Sequence, residues 1–163
     1  MKTKIYDKLN RTLSLAIRNQ NEIRENATEC PNFRFEDNDE LIAIIEQWAK
    51  EKNINLVVKN LETIDEIDFQ YSDICHIDGM HYTRVKDFSQ NKFYNKLSKS
   101  NTLFLIRNYN DYSNRYREYV YGIVKQHLFL GEKLNTILFT IATINPEKEN
   151  LGMEDRANFS KLD

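Results

Sequence analysis

The fold of this chain is set by the stretch Ile137-Leu-Phe-Thr-Ile-Ala-Thr-Ile-Asn145-Pro146, within a strand predicted over residues 135–144. Its apolar and β-branched residues are typical of a strand buried in a sheet. A similar run, Thr102-Leu-Phe-Leu-Ile106-Arg107, comes earlier, and a helix is predicted between the two, over residues 111–129. Two buried strands joined by a helix predict a right-handed parallel crossover. We therefore expect an α/β fold with a mostly parallel sheet and flanking helices.

The upstream half of the chain shows the same alternation of helices and strands. Apolar residues at helical spacing predict an amphipathic helix over residues 5–25, and a second helix over residues 39–52 that Asp37 or Asp39 could cap. Short strands are predicted at residues 32–36 and 54–58. The remaining segments carry weak signals and are predicted to be loops, irregular or weakly helical: residues 62–68, 73–81 and 89–100.

Composition sets limits on the class of protein. The 163 residues suffice for one domain with its own core, of which residues 1–28 would form the N-terminal amphipathic helix and residues 32–159 the α/β core. Net charge is -2, so no global charge attracts nucleic acid or membranes. With no membrane-length apolar run and no signal peptide, we expect a cytoplasmic protein whose two cysteines are free thiols.

In this order the elements resemble the core of an AAA+ ATPase of the MoxR and dynein-related type. Residues 39–63 resemble the helix after the phosphate loop and the next strand, and residues 102–110 resemble the magnesium-binding strand and its turn. Asp78-Gly79-Met80 stands where the family often has a glycine before a loop. Asn145 matches the phosphate-sensing Asn of the family. The resemblance implies a three-layer core like that of P-loop NTPases, here without the helical lid because the chain ends at Asp163.

The sequence departs from this family where the chemistry should lie. The stretch that matches the phosphate loop, residues 31–39, contains no glycine, and Asn38 and Asp39 replace its Lys and its Ser or Thr. Ile106 and Arg107 occupy the positions of the Asp-Glu pair that would hold magnesium and orient water. The acidic residues around Asp37 would also repel a triphosphate. We therefore expect no nucleotide cofactor and no hydrolysis by this chain alone, although the sequence leaves enzymatic activity formally open.

Several residues are candidates for binding rather than catalysis. Asn145 is either a vestigial sensor or a strand end whose side chain bonds to backbone, and the second reading is favoured. The segment around Arg156 resembles the region that supplies an arginine finger to a neighbouring subunit. The alternative is that Arg156 is an ordinary exposed arginine. The remaining interface candidates form a run that interleaves aromatic and basic side chains: Arg107, Tyr109, Tyr112, Arg115, Tyr116 and Tyr119.

Three readings of that aromatic and basic run stay open: a protein interface, packing on the sheet, and nucleic-acid stacking. Tyr112, Tyr116 and Tyr119 are predicted on one helical face, with Arg115 beside them. Asp111 and Glu118 dilute the positive charge, which disfavours nucleic acid.

The cluster around Cys75 matches no metal-binding pattern. His76 and His81 follow closely, but no second cysteine pair completes a zinc site, and no partner orients a Cys-His nucleophile. No metal ligand and no catalytic residue is predicted.

The sequence as a whole predicts a non-catalytic AAA+-like binding protein that regulates or inhibits a partner assembly. An active AAA+ ATPase is the leading partner, and the size fits a small regulator encoded by a phage or mobile element. The alternatives are a nucleic-acid accessory protein that uses the Tyr and Arg run, and a subunit of a composite ATPase. The oligomeric state is left open.

Overall fold

The computed structural model describes residues 1–21 and 30–163. In chain order the helices are α1 (Lys2–Asn21), α2 (Asp39–Glu51), α3 (Lys92–Leu97), α4 (Arg117–Gln126) and α5 (Met153–Asn158). The strands are β1 (Asn32–Glu36), β2 (Asn55–Asn60), β3 (Ser72–Asp78), β4 (His81–Asp87), β5 (Thr102–Arg107), β6 (Leu128–Phe129), β7 (Glu132–Lys133), β8 (Ile137–Ile144) and β9 (Phe159–Lys161).

Five strands form the central sheet, and all of their pairings are parallel. Their order across the sheet is β2-β5-β8-β1-β9. β8 lies in the middle, with a parallel neighbour on each side, and seven of its eight residues are buried. The predicted α/β class with a parallel sheet is confirmed, and so is the adjacency of the strands at residues 102–107 and 137–144.

Helices cover both faces of the sheet because successive side chains of each buried strand point to opposite sides. Leu103 and Leu105 of β5 pack with α1 and α2 on one face, whereas Phe104 and Ile106 pack with α3 and α4 on the other. The parallel strands are apolar on both faces for this reason, as parallel sheets usually are. Within residues 1–21 and 30–163, no helix is both long and apolar enough to cross a bilayer.

The main departure from prediction is the antiparallel hairpin of β3 and β4, where irregular structure was expected. Both of its faces are exposed, so its sequence lacks the alternation of apolar and polar residues that identifies a half-buried strand. A two-residue turn at Gly79, whose φ is 60°, closes the hairpin.

The helix predicted over residues 111–129 is too long at both ends, because α4 begins at Arg117 and ends at Gln126, before strand β6. Side chains upstream bond to nearby backbone: Asn114 Oδ1 accepts from Tyr116 N at 2.8 Å, and Asp111 Oδ1 accepts from Ser113 N at 3.3 Å. Such local bonds compete with helical ones. Tyr112 and Tyr116 therefore lie before the helix, and the predicted shared helical face with Tyr119 does not form.

Other boundaries also needed correction. Asn38, rather than Asp37 or Asp39, caps α2, because its side chain accepts hydrogen bonds from Glu40 N and Leu41 N. The described part of α1 ends at Asn21, and residues 22–25 of the predicted helix lie outside the described residues. Helix α3 lies within residues 89–100, which were predicted to be irregular or weakly helical. Strand β9, the pair β6 and β7, and helix α5 were not predicted, since each is only two to six residues long.

Candidate functional site

The candidate site lies at the carboxyl edge of the sheet, between β1 and β8. The chain leaves β1 toward β2 on one side of the sheet, whereas it leaves β8 toward β9 on the other. Ligands of open parallel sheets bind in the crevice where such connections diverge. The residues just beyond β1, β5 and β8 therefore decide what this crevice can do.

The connection from β1 to α2 is only two residues long, Asp37 and Asn38. Asp37 N donates to Ile144 O at 2.9 Å, so the backbone stays in line with the sheet. Asn38 Oδ1 accepts from Glu40 N at 2.9 Å and Leu41 N at 3.2 Å. Those are the amides with which a helix N-terminus would otherwise hold phosphate. The connection is shorter than a phosphate-binding loop, and two of the amides that such a loop would offer are already bonded to Asn38.

Arg107 extends from the end of β5 to Asp37 at the end of β1. Its terminal guanidinium nitrogen lies 2.6 Å from one carboxylate oxygen of Asp37, and its Nε lies 3.2 Å from the other. This two-point contact is the strongest geometry for an Arg-carboxylate pair. The same terminal nitrogen also contacts Asp39 at 3.0 Å. We call Asp37, Asp39 and Arg107 the edge ion cluster.

Thr143 of β8 adds a further hydrogen bond to Asp37. Its hydroxyl donates to Asp37 at 2.7 Å and accepts from Asn108 N at 3.0 Å. Asn108 has a positive φ of 56°, which turns the chain sharply after β5. Its side-chain amide donates to Asn60 at 2.9 Å, which ties the end of β2 to the same network.

The protonation of the cluster follows from these contacts. Burial raises the pKa of Asp37, but the hydrogen bonds from Arg107 and Thr143 and the charge of Arg107 outweigh that effect. The net pKa of Asp37 is lower than that of an ordinary aspartate, so the carboxylate is ionised at neutral pH. The hydrogen bond to Asp37 raises the pKa of Arg107, which stays charged.

Asn145, the predicted sensor position, bonds within its own turn. Its Oδ1 accepts from Glu147 N at 3.0 Å. Its backbone N donates to Asn110 Oδ1 at 2.8 Å, and the Asn110 amide nitrogen donates to both Asn145 O and Glu149 O at 2.8 Å. Asn145 is therefore part of the hydrogen bonding that shapes the loop after β8.

The aromatic and basic run splits into a buried part and an exposed part. Tyr109 is fully buried, with the guanidinium of Arg117 4.7 Å from its ring centre. Arg117 also stacks on Tyr112 at 4.1 Å and pairs with Asp155 of α5 at 2.8 Å. Tyr112 donates to the same carboxylate at 3.2 Å. These side chains join α4 to α5 and are structural contacts.

The exposed part surrounds an open groove of about 650 Å³. Its aromatic lining is Phe69, Tyr71, Tyr116 and Tyr119. Phe69 is buried and stacks on Tyr116 at 5.8 Å, while Tyr119 lies edge-on to it at 5.2 Å and is 45% exposed. Arg115 bonds to the Tyr116 hydroxyl at 2.6 Å at the rim. We call this surface the aromatic groove.

Charges of both signs border the aromatic groove. Lys86 and Glu66 line it directly, and Asp65 and Glu66 lie near enough to Arg115 to help raise its pKa, after the larger effect of the Tyr116 hydrogen bond. Arg156, the remaining interface candidate, is exposed on α5. Among the described residues, no group of three or more His, Cys, Asp or Glu side chains is arranged to hold a metal ion.

Sequence patterns missed the edge ion cluster, although the signal was present. Asp37 directly follows β1, Arg107 is the last residue of β5, and both strands flank β8. Charged residues at the carboxyl ends of two parallel strands that share a neighbour converge at one edge of the sheet. The residues present do not fit a triphosphate, because Asp37 neutralises the cation that faces the crevice. Comparison of the sequence with protein-family models and with curated proteins finds no match.

Proposed function

We propose that this chain is a non-catalytic binding protein with an AAA+-like core, which regulates or inhibits a partner protein assembly. The observation that carries the proposal is the edge ion cluster. At the crevice where a P-loop NTPase binds phosphate, Arg107 and Asp37 bond to each other at 2.6 Å. In this proposal, side chains of the chain itself occupy the nucleotide site of an AAA+-like core, and the remaining surfaces of the core bind the partner assembly.

The order of the strands supports the AAA+ part of the proposal. Numbered along the chain, the five parallel strands lie in the order 2-3-4-1-5. This differs from the dinucleotide-binding order 3-2-1-4-5-6 and the flavodoxin order 2-1-3-4-5, and it is compatible with a P-loop-like core. It also brings Asp37, Arg107 and Asn145 to one edge, as the positions of a phosphate loop, a magnesium strand and a sensor would require.

The aromatic groove supports binding of a protein. Exposed tyrosines with an arginine at the rim are the side chains that contribute most to protein interfaces. The mixed charges of Lys86, Glu66 and Arg115 fit a protein surface better than a polyanion, since Glu66 would repel phosphates. The partner class that we propose is an active AAA+ ATPase, which the frame would approach as a subunit does.

Two measurements test the proposal. Isothermal titration with Mg²⁺ and ATP should show no binding to the purified chain; tight binding would contradict a closed site and favour a composite ATPase. Affinity capture from nuclease-treated lysate of the native host should recover an AAA+ ATPase whose turnover changes when purified chain is added. Capture that depends on nucleic acid, together with a salt-sensitive gel shift, would favour the nucleic-acid accessory instead.

Variants make the second measurement specific to the proposed surfaces. Tyr119→Ala and Arg156→Ala should each weaken the effect on the ATPase. Ile17→Ala and Arg11→Ala are the controls, because both residues are exposed and lie on α1, away from the aromatic groove. Equal loss in test and control variants would refute a role of the aromatic groove and of Arg156.

A further inference from the structure

The hairpin of β3 and β4 stands away from the core with its side chains in solvent. Every residue from Ser72 to Lys86 is exposed. Lys86 anchors its base, donating to Leu130 O at 3.0 Å and lying over the ring of Tyr71. An isolated two-stranded hairpin is marginally stable in water, and three or more strands with an apolar face are needed for independent stability. The hairpin is thus an incomplete sheet.

Each face of the hairpin carries one apolar cross-strand pair. Ile74 pairs with Val85 on one face, and Ile77 pairs with Tyr82 on the other. Ile77 is 77% exposed and Tyr82 is 71% exposed. A further strand at an edge of the hairpin would therefore bury part of the apolar pair on each face.

The two edges of the hairpin differ in their protection. Exposed edge strands are commonly protected from pairing by charged residues, lysine above all. β4 carries Arg84 and Lys86 in its interior, whereas the centre of β3 is Ile-Cys-His-Ile over residues 74–77, with no Asp, Glu, Lys or Arg. The β3 edge is the one that is open to pairing.

The turn fixes which backbone groups of β3 are available. Gly79 has a positive φ and Met80 does not, which is the type II′ turn of two-residue hairpins. Asp78 and His81 close the turn, and residues that alternate with Asp78 bond to β4. The N–H and C=O groups of Asp73, Cys75 and Ile77 therefore point away from β4, toward solvent.

We propose that β3 pairs antiparallel with β3 of a second copy of this chain, about a twofold axis that passes beside Cys75. This register overlaps all seven residues and sets the outward-pointing groups of Asp73, Cys75 and Ile77 against one another. Asp73 lies opposite Ile77 of the second copy, Ile74 opposite His76, and Cys75 opposite Cys75. The result is a four-stranded sheet in the order β4-β3-β3-β4.

Charge selects this pairing over the alternative edge. No like charges lie opposite each other in the β3 pairing, whereas the corresponding β4 pairing would set Arg84 against Arg84, and like charges directly opposite are destabilising. The twofold axis is perpendicular to the sheet, so the same face of both hairpins lies on the same side of the joined sheet. Two Ile74–Val85 pairs then lie on one face and two Ile77–Tyr82 pairs on the other. Such an isologous contact closes as a dimer.

The test uses charge at the residue on the axis. Wild-type chain should show twice the monomer mass by light scattering after gel filtration. Cys75→Lys and Cys75→Glu should each weaken dimerisation roughly tenfold or more, an effect of about 1.4 kcal/mol, because each places like charges opposite each other. An equimolar mixture of the two variants should restore the dimer. Arg84→Glu, opposite Cys75 on the other strand, is the control that should stay dimeric.

A second readout reports the register directly. In a Cys30→Ser background, a short bismaleimide should join two copies through Cys75, and Cys75→Ser should abolish the product. A wild-type chain that is monomeric at every soluble concentration overturns the proposal and leaves the β3 edge to a strand of another protein. Single-charge variants that remain dimeric, or a mixture that stays monomeric, refute the axis at Cys75. Far-UV circular dichroism of each variant checks that the fold is retained.

Discussion

Removal of Asp37 or Arg107 is the sharpest test of the edge ion cluster. Exposed ion pairs contribute about 0.2–1 kcal/mol, whereas breaking a fully buried pair costs about 3–5 kcal/mol. The Asp37 side chain is 15% exposed and that of Arg107 is 30% exposed, so the pair lies between these limits. We expect Asp37→Asn and Arg107→Met each to lower the free energy of unfolding by about 2 kcal/mol. The melting temperature should fall by about 4–8 °C.

Urea unfolding of both single variants and the double variant gives the coupling energy, which we expect to be about 1–1.5 kcal/mol at neutral pH. Asp39→Asn is the matched control, because Asp39 contacts the same guanidinium but its side chain is 92% exposed. It should cost less than about 0.5 kcal/mol. A coupling below about 0.3 kcal/mol for Asp37 and Arg107 would refute the cluster as described.

The pH dependence gives the sign of the effect. The pKa of Asp37 is lower in the folded chain than in the unfolded one. The carboxylate therefore contributes its full stabilisation above the unfolded value of about 3.9. That contribution is lost as the pH falls through the folded pKa. The coupling measured at pH 7 should persist at about pH 5 and fade toward pH 2.

Three further predictions concern stability. Asp155→Ala leaves the Arg117 guanidinium buried without its partner, and urea unfolding should show a loss of about 3 kcal/mol. Burial, with a smaller effect of Lys133, lowers the pKa of His127 to about 4. Stability should therefore fall by up to about 3 kcal/mol as the pH is lowered from about 6.5 to 4. His127 has a φ of 55°, a left-handed conformation that Asn tolerates, so His127→Asn should flatten that pH profile of unfolding. The Tyr109 hydroxyl is buried with no hydrogen-bond partner in the described part of the chain, so Tyr109→Phe should leave the melting temperature unchanged or raise it by a few degrees, an effect of up to about 1 kcal/mol; a clear loss would show that the hydroxyl is satisfied.

Sequence patterns predicted the parts of the fold whose burial requires apolar residues in long runs or at regular spacing. β5 and β8 are buried on both faces and read as continuous apolar runs, and α2 shows helical spacing of its buried side chains. The hairpin of β3 and β4 was missed because neither of its faces is buried, which leaves no periodicity. Local propensity alone did not identify it.

For the candidate site, the sequence predicted only that the features of a phosphate-binding loop are absent. The absence of glycine in residues 31–39 is visible in the sequence, and so are Ile106 and Arg107 at the end of an apolar run. The ion pair of Asp37 and Arg107 was not predicted, because the two residues are far apart along the chain and meet only through the order of β1, β8 and β5. Tyr109 and Tyr116 belong to one aromatic run, and nothing local distinguishes the buried ring from the half-exposed one.

The position of β1 in the sheet has a consequence for how the chain is made. β1 leaves the ribosome before β2 and β5, but both of its neighbours, β8 and β9, are synthesised after them. Until Ile137 and the residues after it emerge, Phe33 and Phe35 have no strand beside them, and α2 has only part of the surface that it will cover. Such pairing between distant residues folds slowly and leaves apolar surface open meanwhile. A nascent chain that has not yet reached β8 therefore exposes apolar surface that chaperones can bind.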